Sequence, residues 1–338
     1  MGVANSGLRL FQWGIEVAST HGTAVPATSK MAVTDIEFEE TGLLYRPKLA
    51  KGLITRNPGN ETVISHGTKF TIPPSPVIYD QHHNFCAMGV VGAIAASGAP
   101  SVYTWTYTRN ILADPAIDSR TIERRLSDGT NFLDTEWAYA FLSEMVWEYE
   151  PDSPIMFSAE GFARAIGAST LTAGQAFPTI EIPSAALATL AIDTAWGGLG
   201  GTPIVAQILG ARLAFHTGYK PKMSLDGRAG LDFTTHLLDA ADVGVDLTVR
   251  MLIEADSGQY ATERTAAAAG TIRAVRLNVT GTGSRSLKLD ALVKHELPQI
   301  QKIGSEDGQD IVELHFVDAT DATNLFAVTV INATNAVV

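Results

Sequence analysis

The string YRPKL at residues 45–49 returns as YKPKM at residues 219–223, 174 positions later in a chain of 338. The flanks repeat in the same order. Phe38 to Gly42 (FEETG) precedes the first copy, and Phe215 to Gly218 (FHTG) precedes the second. Further back, Trp13-Gly14 is matched by Trp196-Gly197, and Gly22-Thr23 with Pro26 by Gly201-Thr202 with Pro203. Gly52 and Gly227 each open a polar loop downstream. Five elements in one order indicate a tandem duplication, over about residues 8–170 and 185–338. The expected division is a first domain at 1–175, a linker at 176–188 (AFPTIEIPSAALA) and a second domain at 189–338. Trp13 is expected to be equivalent to Trp196, and Tyr45 to Tyr219.

Two domains suit this length. With 46% hydrophobic and 18% charged residues, the chain is globular and not disordered. Cys86 is the single cysteine, which rules out an internal disulfide and suits a reducing cytosol. No run of eighteen apolar residues occurs, and the start lacks a basic segment followed by an apolar one, so neither a spanning helix nor ordinary secretion is expected. The net charge of −12 divides evenly, since residues 1–170 and 171–338 each carry 12 basic and 18 acidic side chains. Acidity therefore belongs to the repeated unit. Such a surface repels phosphate backbones, which argues against a DNA-gripping protein and favours one that DNA slides past.

Alternation dominates the pattern. TDIEFEE puts Ile36 and Phe38 on one face and Glu37 and Glu39 on the other, as in a half-buried strand. Ser101 to Arg109 is rich in strand formers, and Glu136 to Glu150 reads as two strands or one long bent one. DLTVRMLIEAD, TIRAVRLNVTG, IVELHFV and LFAVTVIN continue the pattern. Two helices interrupt it. One is expected over Tyr79 to Ser97, stopped by Gly98 and Pro100, and the other over Ser257 to Gly270. The fold class is mainly β: two tandem sandwich or barrel domains, each flanked by one helix. Open sandwich edges require cover, and another copy would supply it.

Adjacent His82 and His83 point about 100° apart on a helix and do not suit a shared metal, so surface or interface positions are expected. Cys86 reads as a small buried hydrophobe. GGLGGT (Gly197 to Thr202) lacks the lysine of a phosphate loop and reads as a loop needing positive φ. Glu148 and Glu150 share one strand face without a recognisable catalytic signature, and no Gly-x-Ser-x-Gly or His-Glu-x-x-His string occurs. No cofactor, metal or catalytic activity is expected.

The tryptophan segment followed by HGTAVPATSKMAVTDIEFEE resembles the opening of tail tube (major tail) proteins of long-tailed bacteriophages. SLDG after the second lysine string, a helix between strands, and GTIRAVRLNVTGT resemble the family as well. The motifs are diffuse, and the chain departs from the family in carrying two domains where many members carry one. The resemblance implies a structural virion protein that closes a barrel around a lumen, stacks rings through long loops, and passes double-stranded DNA without binding it. Glu37, Glu39, Glu148, Glu150 and Asp246 are the lumen candidates. Arg56, Asn57, Asn60, Glu61, Asp232 and His236 are the ring-stacking candidates, in the segments Gly52 to Gly67 and Gly227 to Gly244. Implied partners are further copies in a trimeric ring with pseudo-sixfold symmetry, together with tape measure, tail terminator and baseplate or tail-tip proteins. Assembly would occur in the bacterial cytoplasm, and no membrane is involved.

Two other classes are open to the sequence. A two-domain β-sandwich binding module, such as an adhesin or carbohydrate-binding protein, would need an exposed platform from Trp105, Trp137 or Trp147. An enzyme would use Glu148, Glu150 or His295 in a pocket of convergent polar groups.

Overall fold

The computed structural model describes residues 9–18, 20–45, 62–112, 115–127, 129–225, 231–253, 258–296, 301–306, 309–321 and 323–337. The first half contains β1 (Arg9–Ile15), β2 (Ser29–Lys30), β3 (Glu37–Tyr45), β4 (Thr62–Pro76), α1 (Tyr79–Gly89), β5 (Ser97–Ala99), β6 (Val102–Asn110), β7 (Arg120–Ser127), β8 (Phe132–Tyr149), β9 (Met156–Ala163) and β10 (Gly167–Ala168). The second contains β11 (Ala188–Asp193), β12 (Pro203–Ile204), β13 (Ile208–Lys222), β14 (Thr235–Leu252), α2 (Gly258–Ala269), β15 (Arg273–Thr280), β16 (Ser286–His295), β17 (Gln301–Glu306), β18 (Gln309–Asp318) and β19 (Asn324–Asn332). The fold is mainly β, and its antiparallel pairings join into one large sheet.

One set of pairings occurs in both halves. β1 joins β2 and β7, β7 joins β8, β8 joins β9, β9 joins β4, and β4 joins β3. Correspondingly, β11 joins β12 and β15, β15 joins β16, β17 joins β18, β18 joins β14, and β14 joins β13. The single strand β8 thus does the work divided between β16 and β17.

The registers correct the residue equivalences drawn from the repeated strings. Trp13 pairs with Ile122 in β1, whereas Trp196 sits in a 3-10 turn after β11. The residue of β11 that meets Val275, as Trp13 meets Ile122, is Ile192. A Trp-Gly dipeptide carries no register, but a hydrogen-bonded ladder does. Tyr45 and Tyr219 both lie late in the first strand of a long hairpin.

The helices differ in setting. Every residue of α1 is buried, whereas α2 buries only Glu263, Ala266 and Ala267. The first helix also ends at Gly89, earlier than the composition of residues 79–97 indicates. β-Branched Val90 and Val91 follow, and then Gly92, where an added Cβ would lie 2.5 Å from the Asp118 nitrogen. The chain turns there because only glycine permits the close approach.

β8 is one 18-residue strand, bent where Tyr139 adopts φ 59°. A non-glycine residue in that region costs ~1–3 kcal/mol. The bend aims the Tyr139 N–H at the Glu16 Oε1, 2.7 Å away in a buried hydrogen bond that offsets the strain. Beneath the sheet one continuous core unites both halves, running from Trp13, Phe70 and Trp147 through Phe215, Leu247 and Val328. Residues 176–188 are fastened to the first half: Ile155 N–H donates to Pro183 O and Ala185 N–H to Ser153 O. Among the described residues no helix is long and apolar enough to cross a membrane.

Candidate functional site

The halves meet where β13 lies along β8, from Ala211 opposite Tyr149 to His216 opposite Glu144. This joins two four-stranded blocks into one continuous sheet, in the order β3-β4-β9-β8-β13-β14-β18-β17. Directly opposed residues share a face. One row crosses the sheet from Glu37 through Thr71, Glu160, Glu144 and His216 to Gly244. A second runs from Glu148 through Arg212 and Thr248 to His315, and a third from Val146 through Ala214 to Asp246. The opposite face carries Phe38, Phe70, Phe157, Trp147, Leu213, Leu247 and Leu314 toward the core.

The lumen candidates Glu37, Glu39, Glu148 and Asp246 therefore share one solvent-facing surface, and Glu150 continues it just past the end of β8. The registers add Glu144, Glu160 and Glu313, and basic Lys69, Arg212 and Arg250 stand in the same rows. Acids predominate, and the field acts on their neighbours. Lys69 is held above the ordinary lysine value, first by its hydrogen bond to Glu160 and further by the charges of Glu160, Glu39 and Glu144. His216 is raised by its 2.9 Å hydrogen bond to Asp246, with Glu144 adding to the effect.

The carboxylates are spread along strands instead of converging. Glu148 lies 3.5 Å from Arg212, and Glu150 lies 3.8 Å from Arg250, as surface pairs. His295, the third catalytic candidate, is buried against Phe316 and lies 3.3 Å from Glu263, which is itself bound by Arg273 at 2.6 Å. That cluster ties α2 to the sheet. Among the described residues no group of three potential metal ligands occurs.

The adjacent histidines are not at the surface. His82 and His83 are 1% and 0% exposed, because α1 is enclosed on all sides. Trp147 Nε1 donates to His82 Nε2 at 2.9 Å, and burial pushes His82 down to about 3. His83 stacks on Trp105 and is lowered to about 4, again mainly by burial. Cys86 is buried, and its thiol is pushed up by desolvation. Trp105, Trp137 and Trp147 are all core residues, so they form no exposed platform. In GGLGGT, Gly200 takes φ 81° while its N–H donates to Asp193.

Arg56, Asn57, Asn60 and Glu61 lie outside the described residues, as does most of the segment Gly52 to Gly67; Thr62 onward is strand β4. In the second segment Asp232 and His236 are engaged within the chain. Asp232 Oδ1 accepts from the Ala165 N–H, and Arg164 donates to Phe233 O and Thr234 O. His236 packs against Tyr139, Phe141 and Tyr219. The end of the β13–β14 hairpin thus grips the first half of the same molecule.

Sequence reasoning missed Glu144, Glu160 and His216. Glu144 was available as the residue four before Glu148 on the same strand face. Glu160 was not, because SAEGFA is rich in small residues and gives a weak strand signal. No protein-family model matches the chain, and no curated protein matches it.

Proposed function

We propose that this chain is a structural subunit of a phage-type tail tube, with three copies closing one ring and rings stacking into a hollow conduit for double-stranded DNA. The observation that carries the reading is the eight-stranded sheet, whose two blocks present one acidic face. Curved around a bore, that face would put Glu37, Glu39, Glu148, Glu150 and Asp246 toward the passing duplex, where like charge prevents adhesion. Each chain supplies two similar blocks, so three chains give threefold symmetry and approximate sixfold symmetry. Closed cyclic arrangement is the ordinary outcome for head-to-tail contacts. Repetition would make individually modest contacts strong. The residues 1–175 and 189–338 act as two tube units, with 176–188 bridging them. Tape measure, terminator and tail-tip proteins would meet the tube along its length and at its ends, in a virion assembled in the host cytoplasm. No catalytic step is assigned.

Cryo-electron microscopy of the purified protein tests this. Hollow tubes with three chains per ring and both halves on the bore are expected. A protein that never polymerises, or six chains per ring with one half held away from the lumen, would overturn the reading.

A further inference from the structure

Inside the chain the edge of β8 is met by β13. The two ends of the eight-stranded sheet each have a single neighbour among the described residues: β3, joined to β4, and β17, joined to β18. They are the counterparts of the two that meet. Arg120 and Arg273 open β7 and β15 and reach α1 and α2 at Asn84 and Glu263, each five positions past the helix start. Carrying the ladders outward from these arginines pairs Ala140 with Val293, Gly161 with Phe316, Phe70 with Leu247, and finally Phe38 with Leu213. Along β9 and β18 the same ladders pair Phe157 with Val312, and so Trp147 with Ile303. Within the chain, Trp147 lies opposite Leu213. Its counterpart Ile303 lies at the open edge.

The state of that edge fits a missing strand. Val312, directly opposite Ile303, is fully buried, so Ile303 belongs to the core side of the sheet, yet it is 55% exposed. Trp147, which has β13 beside it, is 0% exposed. A Cβ added at Gly304 would meet nothing within 4 Å.

We propose that β17 of one copy pairs antiparallel with β3 of a second copy, in the register that sets Ile303 opposite Phe38, Lys302 opposite Glu39, and Gly304 opposite Glu37. The pairing reproduces between chains the contact that β8 and β13 make within one. It puts an apolar pair on the core side, as Trp147 and Leu213 are. It also sets the Lys302 position opposite Glu39 in the ladder, two residues along from the counterpart of the place where Arg212 meets Glu148. The contact is head-to-tail, so it propagates from copy to copy and closes when the sheet's curvature returns it to the start. An exposed sheet edge is a template for such addition, and a second copy of this chain is the occupant whose shape and register the molecule already displays. This specifies the contact for the ring reading but depends only on the two edges.

Paired cysteines test the register, since directly opposed Cβ atoms lie within disulfide reach. The full chain carrying Glu37→Cys and Gly304→Cys should give a ladder of covalent dimers and higher multiples on mild oxidation. A pair shifted by two residues, Glu37→Cys with Lys302→Cys, should give at least tenfold less, and each single variant should give none; native Cys86 is buried. Glu39→Lys should shift the protein toward monomer in mass photometry, and adding Lys302→Glu should restore the multiples. An intramolecular bond, a stronger cross-link at the shifted pair, or no cross-link at all would overturn the inference. Cross-linked multiples that never stack into hollow tubes would uphold this contact while sinking the tail-tube reading. Tubes lacking the cross-link would do the reverse.

Discussion

Arg273 holds Glu263 at 2.6 Å in the interior of the second half, and Arg120 holds Asn84 at 3.0 Å at the corresponding place in the first. The same strand-to-helix tie is ionic in one half and neutral on the helix side in the other. Removing one partner of a buried ion pair leaves a charge with no compensation, at a cost of ~3–5 kcal/mol. Removing a neutral partner of a charged group costs less, ~1–3 kcal/mol. Glu263→Ala should therefore lower the urea midpoint more than Asn84→Ala does. Equal losses would show that the carboxylate matters only as a hydrogen-bond acceptor.

Acid should destabilise the protein through α1. His82 and His83 titrate near 6.5 when unfolded, and burial holds them at about 3 and about 4 in the fold. Between those values the unfolded chain binds more protons, so stability falls as pH drops below 6.5. The loss approaches ~1.4 kcal/mol per pH unit for each histidine across that window. Urea titrations of wild type and His83→Gln at several pH values should show a shallower acid slope in the variant. Parallel slopes would exclude His83 as a source.

His216 should act in the opposite sense. Its folded value is raised, chiefly by the hydrogen bond to Asp246, so its contribution is complete below 6.5 and disappears as pH rises through the raised value. Asp246→Asn should cost stability at pH 5.5 and little at pH 8.5. Thermal melts at the two pH values provide the comparison, and a pH-independent loss would place the effect elsewhere.

Reversing charge on the acidic face should make it adhesive. Glu37→Lys combined with Glu144→Lys changes the face by four charges without touching the core side. Assemblies of this variant should retain double-stranded DNA in co-sedimentation at low salt and release it as salt increases, whereas wild type retains none. Equal behaviour would remove both residues from the surface that DNA meets.

Cys86 should resist thiol reagents in the native state and react at the rate of unfolding, because the thiolate is the reactive form and burial opposes it. Labelling at native pH faster than global unfolding would show that α1 opens locally.

The alternation of Ile36 and Phe38 with Glu37 and Glu39 was legible because a strand's two faces are written every second residue. Helix α2 was legible from its alanine run and Gly270. The end of α1 was not, since what stops it is the approach of Asp118 to Gly92, a contact 26 residues away in sequence. The repeated strings misled in detail, as Trp196 shows, since it lies in a 3-10 turn and not in a strand as Trp13 does. Nor did any local signal give the meeting of β8 with β13, whose register depends on partners 62 to 72 residues apart. That junction gathers Glu37, Glu144, His216 and Asp246 onto one surface, so the acids could be read singly but not as a face.

The β5–β6 hairpin lies between α1 and β7, and only a few residues separate α2 from β15 in the other half. β6 pairs with β19, and the Trp105 indole donates to Thr334 O, 229 residues further along. On the ribosome, Trp105 leaves the exit tunnel long before the strand that covers it has been made. The first half must wait, with an aromatic edge unsheltered, until β19 has been made, and its closure carries the slow kinetics of long-range pairing. A burst of tryptophan fluorescence change late in refolding would time that closure.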